Sequence, residues 1–345
     1  MIIDRVERAL DEKVGHRPID SVIKMYSTPK WKEMLQKNNM TSEVEGLFSP
    51  KYLMAHVHNQ SRWKPLTLIH EYYGHGTFFE HSNIGKKLVQ VDRTGSDEEV
   101  FKSMERYLPL SEGFAIWVED FASKILKKES LFDKELKGYP KESIDGYVKA
   151  KHMEGFGNLA FKKEYGFPKA TTVNEAKELV DKLYGNHNIY FAVLYGSCKP
   201  DSDTDLFIVS NDIKGFNNEW LDVFAVTKEE YDRDSQRHLI SVMDPVFTGT
   251  PLIGADNLAK ERKRIYEMPI SDMQINANIE AAKKEQDYID MGFMKGRDLH
   301  TAKSYSTSFL KNAVSLSIGK KRFDKDGLLE VGPNGIPLNG GKQYA

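Results

Sequence analysis

Apolar and polar positions along the chain change period near its middle. From residue 1 to about 38, Val6, Leu10, Val14, Val22, Ile23 and Met25 fall mostly at helical spacing, broken near Pro18 and Pro29, and predict short helices. Lys51 to His58 (KYLMAHVH) alternates loosely, as a strand does. Leu66 to Phe79 reads as a helix with Pro65 in its first turn, where a missing N–H costs nothing. Pro109, Leu110 and Ser111 lead into a second helix expected from about Glu112 to Lys127, and Ser143 to Tyr165 predicts a third.

A break falls at residues 166–174, where GFPKATTVN has turn and cap chemistry rather than periodicity. After it come a helix (VNEAKELVDKLYG), a buried strand ending in a turn (IYFAVLYGS), a second strand (DTDLFIVS) and a third (EWLDVFAVT). Helical spacing returns from Ser271 to about Ile318. The expected class is α+β, with a mainly helical first domain (1–170), an α/β core (171–270), and a helical C-terminal segment and tail (271–345). The ending GPNGIPLNGGKQYA, rich in Gly, Pro and Asn, is expected to be loosely ordered.

Composition adds exclusions. The 345 residues hold enough apolar content, 40%, for two modest cores. With 49 Lys and Arg against 51 Asp and Glu, the chain has no global field to draw in nucleic acid or an anionic membrane. The only cysteine, Cys198, excludes an internal disulfide and fits a reducing compartment, so a cytoplasmic location is expected. The opening MIIDRVERALDEKV, studded with charges, reads as neither signal nor anchor, and no stretch reaches the roughly 20 apolar residues that span a bilayer.

Two constellations carry chemistry. Ile69-His70-Glu71-Tyr72-Tyr73-Gly74-His75-Gly76 sets two imidazoles and a carboxylate on one short element. Zinc hydrolases use neutral His ligands with a carboxylate beside the attacking water, usually as H-E-x-x-H with the histidines one turn apart. Here one residue is added, which on an ideal α-helix turns His70 and His75 roughly 140° from one another. A π-type widening, for which Gly74 is a tolerant position, would return them to one face. The run resembles the H-E-x-x-G-H motif of zinc peptidases similar to dipeptidyl peptidase III, and Ser111-Glu112-Gly113-Phe114-Ala115 resembles the E-G-x-A segment that supplies the third ligand in gluzincins. That resemblance implies a minimal zincin-like domain with His70, His75 and Glu112 on Zn²⁺ and Glu71 as general base, acting on a peptide or protein. Glu80, His81 and Glu119 are candidates to complete the site as ligands or to support the histidines. Tyr147, His152 and Tyr165 are candidates to polarise a carbonyl, with ordinary packing as the competing role for each.

The second constellation is Tyr195-Gly196-Ser197 at the end of an apolar strand, followed by Asp203-Thr204-Asp205 and by Asp222 between Leu221 and Val223. Strand alternation sends Asp203 and Asp205 to one side, where two carboxylates can hold Mg²⁺. The pattern resembles the nucleotidyltransferase superfamily of DNA polymerase beta. The resemblance implies that Gly196 and Ser197 hold a nucleoside triphosphate (NTP), that Asp203 and Asp205 bind two metals, and that Asp222 serves as a further ligand and activates an acceptor hydroxyl. Only Cys198 to Ser202 lie between turn and Asp pair, shorter than is usual, with Lys199 as a substitute phosphate-side charge. Lys260, Arg262, Lys263 and Arg264 are candidates to reach phosphates or RNA, or to form a solvated helix face, and Tyr305 and Phe309 to stack a base or to pack in the core.

The expected function is therefore bifunctional: a zinc-dependent peptidase-like site joined to a Mg²⁺-dependent transfer of NMP from NTP to a hydroxyl of a protein, small molecule or RNA, with no membrane partner. Two alternatives stand beside it. One is a nucleotide-sensing module regulating a metallopeptidase; the other is a nucleotidyltransferase with a non-catalytic N-terminal domain.

Overall fold

Local capping signals set where the main helices start. The computed structural model describes residues 3–41, 44–60, 64–292, 296–332 and 335–338. The architecture is α+β, and the chain divides into two units, residues 1–169 and 170–345. The helical pair after residue 271 belongs to the second unit.

In the first unit, α1 (Ile3–Val14), β1 (Val22–Tyr26), α2 (Thr28–Lys37), β2 (Gly46–Ser49) and β3 (Met54–His58) precede a continuous helical segment. That segment is α3 (Lys64–Leu68), a π-helix (Ile69–Gly76) and α4 (Thr77–His81). Next come α5 (Asn83–Thr94), α6 (Asp97–Leu126), α7 (Glu129–Leu136), α8 (Lys141–Phe156) and α9 (Asn158–Glu164). The strands form a small sheet in the order β1-β3-β2, parallel between β1 and β3 and antiparallel between β3 and β2. Strand β2 is therefore an edge.

Four expectations need correction here. Val22, Ile23 and Met25 lie in a strand, not a helix: β1 gains its ladder from β3, and all three side chains stay exposed. Pro29 does not break a helix but sits in the first turn of α2, where proline is tolerated. The second helix begins at Asp97 rather than near Glu112. A capping box starts it, with the Glu99 N–H donating to Ser96 Oγ at 3.4 Å and the Ser96 N–H donating to Glu99 Oε2 at 2.9 Å. Asp97, Glu98 and Glu99 complement the helix dipole, and Pro109 is carried inside the helix. The expected third helix is two, α8 and α9, divided at Gly157 with φ +117°.

The second unit opens with α10 (Val173–Tyr184), capped by Thr172 and Glu175. It continues through β4 (Ile189–Tyr195), β5 (Thr204–Ser210), β6 (Phe216–Asn217), β7 (Leu221–Val226), α11 (Lys228–Gln236), α12 (Ile240–Thr248), β8 (Thr250–Ile253) and α13 (Ala255–Glu267). The helices α14 (Asp272–Asp290) and α15 (Gly296–Ser317) complete it. The sheet order is β6-β7-β5-β4-β8, with β5 and β7 parallel and the other pairs antiparallel. Phe191, Val193, Phe207 and Val209 on one face pack with Tyr231, Val246, Phe247 and Phe309 into the core.

Part of the ending is ordered. Val331 bridges Pro337, and the Gly332 N–H donates to the Ile336 carbonyl at 2.9 Å. Residues 333–334 and 339–345 of that ending lie outside the described residues. No helix among the described residues is long and apolar enough to cross a membrane.

Helices α6 and α8 meet at glycines. A Cβ on Gly113 would lie 2.2 Å from the Gly146 carbonyl carbon, whereas one on Gly155 would meet nothing within 4 Å. Gly113→Ala is accordingly expected to destabilise the protein by about 1–3 kcal/mol through overpacking. Gly155→Ala, at an exposed helical position, should stabilise it by about 0.5–1 kcal/mol. Chemical denaturation read by tryptophan fluorescence checks the opposite signs.

Candidate metal centres

The first centre is built by a helix of unusual pitch lying between an edge strand and α6. The π-helix absorbs the extra residue between His70 and His75: their rings lie 4.9 Å apart, centroid to centroid, nearly perpendicular. Gly74 lets this helix approach α6, since a Cβ there would come within 2.7 Å of both Cα and Cβ of Ala115. Glu112, one turn before Ala115, consequently faces the imidazoles. His70 Nε2 is 3.4 Å from Glu112 Oε2, and His75 Nε2 is 3.3 Å from Glu112 Oε1. Ligands about 2.0–2.1 Å from a tetrahedral ion stand about 3.3 Å from one another, so these spacings fit a cation among the three side chains. His70, His75 and Glu112 form a group whose ligand atoms lie within 4.8 Å of one another.

Supporting contacts fix the histidine geometry. His70 Nδ1 lies 3.3 Å from Glu119 Oε2 and 3.1 Å from the Tyr139 hydroxyl, which itself donates to Glu119 at 2.9 Å. This network holds the ring with Nδ1 on Glu119 and Tyr139 and Nε2 toward Glu112. Glu119 is fully buried and stands two helical turns beyond Glu112, on the same face of α6.

The electrostatics favour positive charge at this point. Burial alone would lower the His70 pKa, but Glu112 and Glu119 outweigh it and raise the value well above that of free histidine. Burial would raise Glu112, yet His75 and His70 hold it well below the usual carboxylate range. Burial raises Glu71 despite the opposing pull of the two histidines. Strand β2 seats that carboxylate: a Cβ on Gly46 would lie 2.7 Å from Glu71 Oε1. A cavity of about 680 Å³ opens here, bordered by Gly46, Leu47 and Phe48 of β2, the two histidines, Glu71, Glu112 and Tyr139.

The other candidates near this centre have structural roles. Glu80 accepts from the N–H groups of Ile19, Asp20 and Ser21 at 2.7, 3.0 and 2.6 Å, anchoring the loop before β1. His81 Nε2 bonds the Arg17 carbonyl at 2.7 Å. Tyr147 donates to Asp120 at 3.1 Å, His152 packs edge-on against Phe156, and Tyr165 is buried against Phe114 and Phe161. None of the five borders the cavity. Tyr139 and Glu135, which do, were not foreseen: 69 residues separate Tyr139 from His70, and no local period marks it. Burial and the Glu119 carboxylate push the Glu135 carboxyl well up.

The second centre follows from strand register. Tyr195 pairs with Asp205, and Asp205 with Asp222, so these side chains form a row across β4, β5 and β7. Asp203, two residues before Asp205, shares that face, and Asp203, Asp205 and Asp222 offer ligand atoms within 4.8 Å of one another. Gly196, at φ +82°, allows the turn to close on them: a Cβ there would sit 2.0 Å from Asp205 Oδ2. Ser197 is exposed on the turn, as is Lys199, and among the described residues neither Lys nor Arg borders the neighbouring cavity. An all-carboxylate donor set suits a hard cation.

Two side chains of the basic run are engaged by the protein itself. Arg262 donates to the carbonyls of Val246 and Gly249, both at 2.7 Å, and Arg264 is held by Glu261 and Ser235, also at 2.7 Å. Lys260 is exposed on α13, and Lys263, also exposed, lies 3.9 Å from Glu267. Phe309 belongs to the core, and Tyr305 packs against it while bordering the cavity beside Asp222. Compared with known proteins, the chain matches no family model, no curated protein and no solved structure.

Proposed function

We propose that the first unit is a zinc-dependent hydrolase of peptide bonds and the second a magnesium-dependent nucleotidyltransferase. The observation that carries the reading is the convergence of each ligand set on one point, two imidazoles with Glu112 in one unit and three aspartates in the other.

In the hydrolase, His70, His75 and Glu112 hold the zinc, which when bound supplies Lewis acidity to a water and to the scissile carbonyl. Glu71, buried and raised in pKa, takes the water's proton and returns it to the leaving amine. Glu119 and Tyr139 keep His70 in its ligating orientation. Strand β2, an edge among the described residues and beside the cavity, supports an extended peptide as substrate, since an edge strand can take up another strand.

In the transferase, Asp203, Asp205 and Asp222 hold magnesium, which when bound offsets the charge of the triphosphate. The turn at Gly196 and Ser197 receives the phosphates. The acceptor oxygen forms its bond to the α-phosphorus as the bond to the β-phosphate oxygen breaks. Pyrophosphate leaves with the electron pair, and Asp222 takes the acceptor's proton.

Two sets of measurements test the reading. Purified protein should carry about one zinc that is lost in His70→Ala, while Glu119→Gln weakens zinc affinity by about 10- to 100-fold. Glu71→Gln should retain the metal and lose about 10²- to 10⁴-fold in peptide hydrolysis. A wild-type protein that excludes zinc from residues 70, 75 and 112 contradicts the hydrolase.

With α-labelled NTP and Mg²⁺, label should reach an acceptor in wild type and not in Asp203→Ala/Asp205→Ala. Binding of ATP without pyrophosphate release would favour a nucleotide-sensing module instead.

A further inference from the structure

The cavity of the first centre has two unlike ends. On the His75 side Phe48 and Phe79 stack 5.4 Å apart, their rings 6.1 and 6.0 Å from the imidazole, and Pro50, two residues on from Phe48, also borders the cavity. On the His70 side the border is acidic. Glu45 and Glu135 line it, and Glu119, 3.3 Å from His70 and wholly buried, lies against Glu135. Glu45 Oε2, Glu119 Oε1 and Glu135 Oε2 are all buried, and none has a hydrogen-bond partner among the described residues. Glu119 and Glu45 both press on Glu135 as like charges. Lys134 borders the cavity but is exposed, and among the described residues it forms no salt bridge with any of the three. Carboxylates gathered and desolvated in this way call for a cationic group from a ligand.

Strand β2 gives the two ends an order. It starts beside Glu45, passes Glu71 at Gly46, where a Cβ would lie 2.7 Å from Glu71 Oε1, and reaches Phe48 near His75. A peptide taken up on this edge pairs best antiparallel, the more stable arrangement per residue, and so runs from Phe48 toward Glu45. The side chain before the scissile bond then meets the phenyl rings, and the side chain after it meets the carboxylates.

We infer that this centre cleaves between an apolar residue and a basic one, with Phe48 and Phe79 taking the apolar side chain and Glu45 and Glu135 the arginine or lysine that follows. The inference rests on the hydrolase reading and adds to it a direction and a charge. The water oxygen bonds to the carbonyl carbon of the apolar residue as the C–N bond breaks, and the amine of the basic residue leaves with the proton that Glu71 took from the water.

End-blocked Gly/Ser octapeptides carrying a central Phe–Arg, Phe–citrulline, Phe–Glu or Arg–Phe pair test this on the zinc-loaded full chain, with mass spectrometry locating the cut and kcat/KM measured for each. Citrulline keeps the shape of arginine without its charge. Phe–Arg should be cut at least about tenfold faster than Phe–citrulline, and faster still than Phe–Glu and Arg–Phe. Glu45→Gln and Glu135→Gln should each lower the Phe–Arg to Phe–citrulline ratio at least about threefold. Asp133→Asn, exposed on the same helix as Glu135, leaves that ratio unchanged. Equal cleavage of Phe–Arg and Phe–citrulline, a preference for Arg–Phe, or a ratio that survives both Glu variants overturns the inference and leaves the hydrolase standing. Cleavage of none of the four peptides removes the hydrolase reading and the inference with it.

Discussion

The close approach of Gly74 to Ala115 is the contact on which the first centre depends. A five-residue interval between histidines is unworkable on an α-helix, and the π-helix resolves it only if its backbone can lie directly against α6. With glycine at the crossing, the same contact that seats the widened turn also sets Glu112 opposite both imidazoles. On its other side α6 is held by the Gly113–Gly146 approach to α8. Two glycine crossings therefore fix one carboxylate, and the ligand geometry is a result of backbone packing before it is a matter of side-chain choice.

The second centre solves a related problem with a sheet. Parallel pairing of β5 with β7 brings Asp205 and Asp222 side by side, and the positive φ of Gly196 lets the preceding turn close over Asp205. The same face that is apolar at Val193, Phe207 and Val209 becomes acidic at one end. Carboxylates gathered this closely repel one another, and a cation relieves the repulsion. In both units the arrangement of charge points to a positive ion, from imidazole and carboxylate donors in one and from carboxylates alone in the other.

Much of this was legible locally. The strands of the second unit, the capped start of α10 and the grouping of Asp203 with Asp205 follow from period and cap chemistry within a few residues. The π-widening was foreseeable because H-E-x-x-G-H makes geometric sense in no other helix. What escaped was set by tertiary contacts. Strand β1 exists because β3 offers it a ladder, and α6 runs through Pro109 because its cap lies at Ser96. Tyr139 reaches His70 only through the fold of α7, and Arg262 and Arg264 are spent on carbonyl and carboxylate partners that a charge run does not reveal.

The central claim is that the π-helix and α6 together form a zinc site of two imidazoles and one carboxylate. X-ray absorption at the zinc edge on the purified protein tests it most directly. The account predicts a shell of nitrogen and oxygen ligands at about 2.0–2.1 Å with two imidazole signatures and no sulfur. A shell containing sulfur at about 2.3 Å, or one without imidazole scattering, would contradict it.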